Sequence, residues 1–128
     1  MIVFNRIQDT VAYLESRLNT VFTPPYTVIG IEKGGKIVGG WLFNDYNGHN
    51  VEITVALDAP LLPGMIRAVK HYLFEQMRVT RVTGRCRESN TKSAGMMKRL
   101  GFTLEGRLPG YYGTEAAQLF GYTNGKLS

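Results

Sequence analysis

The chain has a single cysteine, Cys86, in 128 residues. A lone thiol has no intrachain partner, so no disulfide framework is expected and the cytoplasm is the default compartment. The two histidines, His49 in a turn and His71 on a helix, do not fall at metal-ligand spacings, so no metal site is expected. No apolar run reaches the roughly 20 residues that a membrane-spanning helix needs. The first ten residues, MIVFNRIQDT, lack the charged, apolar and cleavage regions of a signal peptide. Internal repeats, low-complexity tracts and linkers are also missing, which points to one domain over residues 1–128. Acids are the scarcer charge, 10 against 15 Lys and Arg, a net +5. Such a balance favours an anionic partner: nucleic acid, a phosphorylated cofactor or an acidic substrate. The basic residues Arg78, Arg81, Arg85, Arg87, Lys92, Lys98 and Arg99 are not interleaved with aromatics. That argues against a nucleic-acid face and for a solvated surface that also meets a phosphate.

What is present is an ordinary globular composition, 44% hydrophobic and 20% charged. Residues 50–77, NVEITVALDAPLLPGMIRAVKHYLFEQM, organise the rest. Val51 to Leu57 is apolar and β-branched apart from Glu52 and Thr54, and predicts a buried strand. Pro60, Pro63 and Gly64 mark a turn, and Pro63 suits a first helical position. Leu62, Met65, Ile66, Val69, Leu73 and Met77 then repeat at helical spacing. A strand feeding a helix start places free N–H groups and a positive dipole end at one spot, a site for phosphate.

Elsewhere, residues 1–4 predict a short strand. Residues 6–19 predict a helix with Ile7, Val11, Leu14 and Leu18 inward. Strands are expected at 26–32 and 37–44 around a Gly34-Gly35 hairpin, with Gly39-Gly40 as a bulge or close-packing point. A fifth strand is expected at 78–87, a short helix at 90–100 closed by Gly101, and strands at 102–108 and 118–123. The order β-α-β-β-β-α-β-α-β-β predicts an α+β class: a mixed, mostly antiparallel central sheet flanked by helices.

That order, with three residue groups, resembles the GNAT superfamily of acyl-CoA-dependent N-acyltransferases. The groups are the hairpin IGIEKGGKIVGGWLF, the strand VEITVAL, and the run from Asn90 through Ser93, Lys98, Leu100, Gly101 and Phe102 to Gly106. The last is similar to the N-x-x-S…K-x-L-G-F…E-G signature of the ribosomal-protein N-terminal acetyltransferases. The resemblance implies a GNAT-like fold and acetyl-CoA as acyl donor. It implies a primary amine as acceptor, either a protein N-terminus or a small amine, and it leaves room for a homodimer. Two positions depart from the pattern. The family's Gln/Arg-x-x-Gly-x-Gly/Ala loop is here Pro60-Leu-Leu-Pro-Gly64-Met, with one Gly and no Arg. The Tyr that many members place before Lys-x-Leu-Gly-Phe is here Met97.

Acyl transfer from a thioester to an amine needs a diphosphate cradle, a strand edge for the pantetheine amides, a base and an acid. By the resemblance, Glu52 is the candidate base; its alternative is a structural ion pair with Lys or Arg. Ser93 is the candidate acid for the thiolate. Asn90 is expected on the pantetheine arm or as a helix cap. Thr54, Val55 and Ala56 offer the strand edge. Gly64, Met65, Ile66 and Arg67 are expected at the diphosphate, or else form a plain turn. Tyr111 and Tyr112 are read as loop packing, as a wall of the acceptor pocket or as a phenol acid. A second functional class fits the same residues: a GNAT-shaped module that has lost catalysis and works through protein or nucleic-acid contacts.

Overall fold

The computed structural model describes residues 1–123 of the chain; residues 124–128, the end of the expected single domain, lie outside the described residues. The elements run β1 (Ile2–Val3), α1 (Ile7–Leu18), β2 (Tyr26–Lys33), β3 (Lys36–Asn44), β4 (Asn50–Leu57), α2 (Pro63–His71), β5 (Arg81–Arg87), α3 (Thr91–Arg99), β6 (Thr103–Leu108) and β7 (Ala117–Thr123). This is the expected order, and the expected α+β architecture holds. The seven strands form one sheet in the order β1-β2-β3-β4-β5-β7-β6. Every neighbouring pair is antiparallel except β4 and β5. Among the described residues, no helix is long and apolar enough to cross a membrane.

Alternation along β4 divides the molecule. Val51, Ile53, Val55 and Leu57 are buried on one face, with Met65, Val69 and Leu73 of the α2 segment and Met96, Met97 and Leu100 of the α3 segment. Thr54 pairs with Leu42 and Ala56 with Gly40 on the other face, where α1 packs Val11 and Leu14 against Val28 and Leu42. The larger core therefore lies on the α2–α3 side, and α1 is the helix that packs on the opposite face.

Glycine pairing sets how closely α1 docks. Gly30 and Gly40 stand opposite each other in the β2–β3 ladder. A Cβ at Gly30 would lie 2.5 Å from Thr10 Oγ1, and one at Gly40 would lie 2.6 Å from Thr10 Cγ2. Thr10 fills the hollow between them at 1% exposure and donates to the Arg6 carbonyl at 2.7 Å. The expected inward stripe of α1 is corrected accordingly. Thr10, Val11 and Leu14 face the sheet, and Ile7 is half exposed. Sidechain-free glycines opposite the helix reward a small residue at position 10 more than a large one at position 7. The expected irregularity at Gly39-Gly40 is a register shift: Ile31 pairs with Gly39 and Glu32 with Ile37, so Val38 is the extra residue.

Three further boundaries differ from expectation. Leu62 caps α2 in an extended conformation and is exposed, while Leu61 turns into the core. The helical periodicity starts one residue later than the apolar pattern suggests, because the cap is not yet helical. The expected single helix to Met77 changes to a π-helical turn over Tyr72–Gln76. In this turn the Tyr72 ring lies 5.1 Å from that of Phe43, and its hydroxyl shares a 2.8 Å hydrogen bond with Thr27. Arg78 then takes the left-handed region at φ 57°, which ends the helix, so β5 begins at Arg81 and not at Arg78.

The close approach of α1 predicts a sign. Gly40→Ala must push against Thr10 and against the Ile29 carbonyl oxygen at 3.1 Å, and should cost about 1–3 kcal/mol. Gly95→Ala, in α3 with open space around it, should stabilise by up to about 1 kcal/mol. Urea unfolding of both variants beside the parent measures this; a neutral Gly40→Ala would mean that α1 is not seated on the glycine pair.

Candidate active site

The parallel pairing of β4 and β5 is short. It runs from Asn50↔Arg81 through Glu52↔Thr83 to Ile53↔Gly84 and stops. Beyond that point β4 continues against β3 as far as Leu57↔Gly39, and β5 continues against β7 as far as Arg87↔Ala117. Each strand keeps its outer partner and loses its inner one. A Cβ on Gly84 would lie 2.7 Å from Met97 Cε and 3.5 Å from Ile53 Cγ2, so Met97 of α3 fills the space above the last pair.

Two cavities open along the gap. One, of about 150 Å³, is lined by Thr54 and Val55 of β4, Arg85, Cys86 and Arg87 of β5, and Tyr112, among others. The second, of about 170 Å³, is lined by Ala56, Leu57 and Asp58 with Tyr13, Arg17 and Lys92. Leu18, Asn90 and Ser93 line both, so the two form one groove. The expected strand edge Thr54, Val55 and Ala56 thus lies opposite Asn90 and Ser93. Asn90 caps α3, its Oδ1 accepting the Ser93 N–H at 3.1 Å. This is the helix-cap alternative, and the capped residue still borders the groove. Ser93 is 7% exposed and is one of two buried polar residues among those described.

Glu52 lies on the α1 face of β4, one pair before the gap, and its carboxylate is in contact with the Arg85 guanidinium. The ion-pair alternative is therefore what the structure contains. Arg85 itself borders the groove, so it joins Glu52 to it. Its guanidinium stacks over Tyr111 at 5.3 Å, and that of Arg87 over Tyr112 at 4.4 Å. Tyr111 and Tyr112 meet edge to face at 4.9 Å. Burial, chiefly, pushes the Tyr112 phenol above its ordinary value, and burial does the same to the Cys86 thiol. Neither is an anionic nucleophile at neutral pH.

The residues expected at the diphosphate stand apart. Gly64 and Arg67 lie in the first turn of α2, Met65 is buried in the core, and Ile66 packs beside it. The Met65 N–H donates to the Leu62 carbonyl at 3.0 Å and the Ile66 N–H to the same oxygen at 3.3 Å. Pro63 has no N–H, which leaves Gly64 as the donor at this helix start not taken up by Leu62.

Sequence reasoning did not reach the cluster at the far end of the groove. Asp58, directly after β4, receives the Tyr13 hydroxyl at 2.5 Å, touches the Arg17 guanidinium and lies 3.5 Å from Lys92 Nζ. Its own N–H donates to the Val38 carbonyl at 2.7 Å, which fixes its position. The Tyr13 hydrogen bond, then Arg17 and Lys92, hold the Asp58 carboxyl below its ordinary value. Burial and Asp58 push the Tyr13 phenol up to about 12. The one signal in the sequence is the Tyr13/Arg17 spacing of four, which stacks the two at 5.6 Å on one side of α1.

Residues 5–103 match the family model described as acetyltransferase (GNAT) domain. A crystal structure of a "probable acetyltransferase" superposes with a TM-score of 0.72 at 14% identity, covering 98% of this chain and 93% of that one. The Campylobacter jejuni N-acetyltransferase PseH, in complex with acetyl coenzyme A, gives 0.61 at 13% identity, covering 80% and 70%. The ribosomal-protein-S5-alanine acetyltransferase of Vibrio fischeri gives 0.63 at 25% identity, covering 80% and 63%. No curated protein matches the sequence.

Asp58 sets a pH dependence. A carboxyl whose folded value is depressed adds stability above its unfolded value, and that stability is lost as pH falls through the folded value. Asp58→Asn should therefore lose less stability than the parent on going from about pH 5 to about pH 3. Urea unfolding at both pH values gives the difference; equal losses would show that the cluster contributes no linkage.

Proposed function

Because this chain belongs to the GNAT family of acetyltransferases, we propose that it moves an acetyl group from acetyl-CoA to a primary amine by direct attack within a ternary complex. The family makes it an acyl-CoA-dependent N-acetyltransferase; the acceptor and the residue roles are our reading. One observation carries that reading: β4 and β5 separate after Ile53 and Gly84, beside a helix start that carries Asn90 and Ser93. Backbone amides on the inner edge of β4 have no strand opposite them, and a pantetheine arm carries amides at a spacing that pairs with such an edge. Thr54, Val55 and Ala56 take that role, with the Asn90 amide beside them.

The chemistry then follows the groove. The amine nitrogen attacks the thioester carbonyl carbon, the C–S bond breaks, and the thiolate takes a proton. Ser93, bordering both halves of the groove, supplies that proton from its hydroxyl and takes back the one that the attacking nitrogen sheds as the amide forms. Glu52 receives the proton that the ammonium must lose. Its pairing with Arg85, which lines the groove, holds the carboxylate next to it, and the proton reaches it through water. Gly64 offers an amide and Arg67 a charge to the diphosphate. Met65 and Ile66 are reassigned to the frame of that turn, since Leu62 already holds their N–H groups.

Tyr112, Arg85 and Arg87 form the wall that we read as the acceptor side, and Tyr111 braces it through its contact with Arg85. We extend the proposal to a protein N-terminus or a small amine as acceptor, to one domain over residues 1–128, and to a cytoplasmic setting, where the lone Cys86 stays a thiol.

Acetyl-CoA at 100 times its Kd should raise stability by about 2.7 kcal/mol, read as a melting shift. Glu52→Gln should lower turnover of an identified amine by roughly 10²–10⁴-fold with donor binding intact. Retained turnover would remove Glu52 from the mechanism, and absence of any donor-induced shift would overturn the proposed function.

A further inference from the structure

The diphosphate end of the groove lacks the residues expected there, since Gly64 and Arg67 line neither cavity. Its expected cradle, the start of α2, offers Gly64 as the amide left over from Leu62. Two cations stand instead on the opposite sides of the groove: Arg17 from the last turn of α1 and Lys92 from the first turn of α3. Both converge on a single carboxylate, Asp58, which projects from the end of β4. Arg17 and Lys92 side chains are 55% and 66% exposed, and Asp58 is 30% exposed. The cluster is thus open to solute from the groove mouth, and its cations are long side chains able to swing.

We propose, resting on the acetyl-CoA reading above, that Arg17 and Lys92 form the diphosphate subsite of this groove and that Asp58 is an internal counter-anion which the diphosphate displaces. In the empty groove the carboxylate holds the two cations across the end of β4, linking α1 to α3. A diphosphate carries more negative charge than one carboxylate and more acceptor oxygens, so it satisfies a guanidinium fork and an ammonium together. Asp58 then keeps the Tyr13 hydroxyl at 2.5 Å as its remaining partner. Displacement and like-charge repulsion both lower donor affinity, so Asp58 limits how tightly diphosphate-bearing ligands bind. It does not affect a ligand that ends before the diphosphate.

The test compares coenzyme A with pantetheine, which lacks the diphosphate, by calorimetric titration at low salt. Asp58→Asn should tighten coenzyme A by about two- to fivefold, the range for one exposed charge pair, and leave pantetheine unchanged. Arg17→Ala with Lys92→Ala should weaken coenzyme A and flatten its salt dependence, again without touching pantetheine. These exposed cations provide an arm that does not depend on the folding of Asp58→Asn. If the parent binds coenzyme A and neither variant alters it, the subsite is overturned and the acetyl-CoA reading survives. Should the parent bind neither ligand, the groove is not a donor site and both readings fall together. Tighter binding of pantetheine by Asp58→Asn would assign the carboxylate to general groove closure and overturn its role as counter-anion.

Discussion

Met97 packs over Gly84 at the point where the groove opens. A parallel pair normally continues while both strands last. Here it stops after Ile53↔Gly84, with Thr54 to Leu57 and Arg85 to Arg87 still in strand conformation. Gly84 lacks the side chain that would keep α3 at a distance, so Met97, 1% exposed, fits directly above the last pair. Methionine suits a wedge at a fork because its unbranched thioether follows an irregular space. Outer partners hold both strands: β3 on β4 and β7 on β5. The inner edges therefore stay extended without a strand between them. Buried unpaired amides would be costly, and an open groove leaves them accessible to solvent.

The same fork ties the candidate chemistry to the cap of α3. Glu52 holds Arg85, Arg85 stacks on Tyr111, and Tyr111 meets Tyr112, which stacks on Arg87. Arg87 lies 3.6 Å from Glu115, whose other oxygen accepts the Ser89 N–H at 2.6 Å. The Glu88 N–H donates to the Ala116 carbonyl at 3.0 Å. The loop before β7 thereby clamps the connection that presents Asn90 and Ser93. Removing Arg85 would free Glu52 and unseat Tyr111 together, so effects at these positions are coupled and will not add.

Periodicity exposed most of this fold, because both faces of β4 and the buried side of α3 are set by local alternation. Element order, the Gly34-Gly35 turn, the Pro63 helix start and the Asn90 cap all depend on residues within a turn of one another. What stayed hidden depends on contacts distant in sequence. The depth of α1 is decided by Gly30 and Gly40, not by its own apolar stripe. Asp58 meets Tyr13 across 45 positions and Lys92 across 34. The π-turn at Tyr72 adds one residue to a helical turn, which shifts the side-chain phase without altering composition. Glu52, Asn90 and Ser93 stood out by resemblance, but whether Glu52 would carry an Arg partner depended on β5 lying parallel beside it.

Net charge is a weaker guide here than its value suggests. Arg6, Arg17, Arg81, Arg85, Arg87 and Arg107 each form an ion pair with an acid among the described residues. Glu32, Asp58, Glu105, Glu52, Glu115 and Glu88 are their partners, so much of the basic content is spent in pairs around the sheet. Of these, Arg17–Asp58 differs in one respect: a second cation, Lys92, shares the carboxylate. A pair is electrically closed, whereas two cations on one carboxylate leave an excess positive charge on the groove. The two helix starts beside it contribute little to that excess. Asn90 already takes an amide of α3, and Leu62 takes two from α2. On the proposed diphosphate role, anion recognition would fall mainly to Arg17 and Lys92, and its strength would depend on how firmly the Tyr13 hydroxyl and the backbone bond to Val38 hold Asp58 in place.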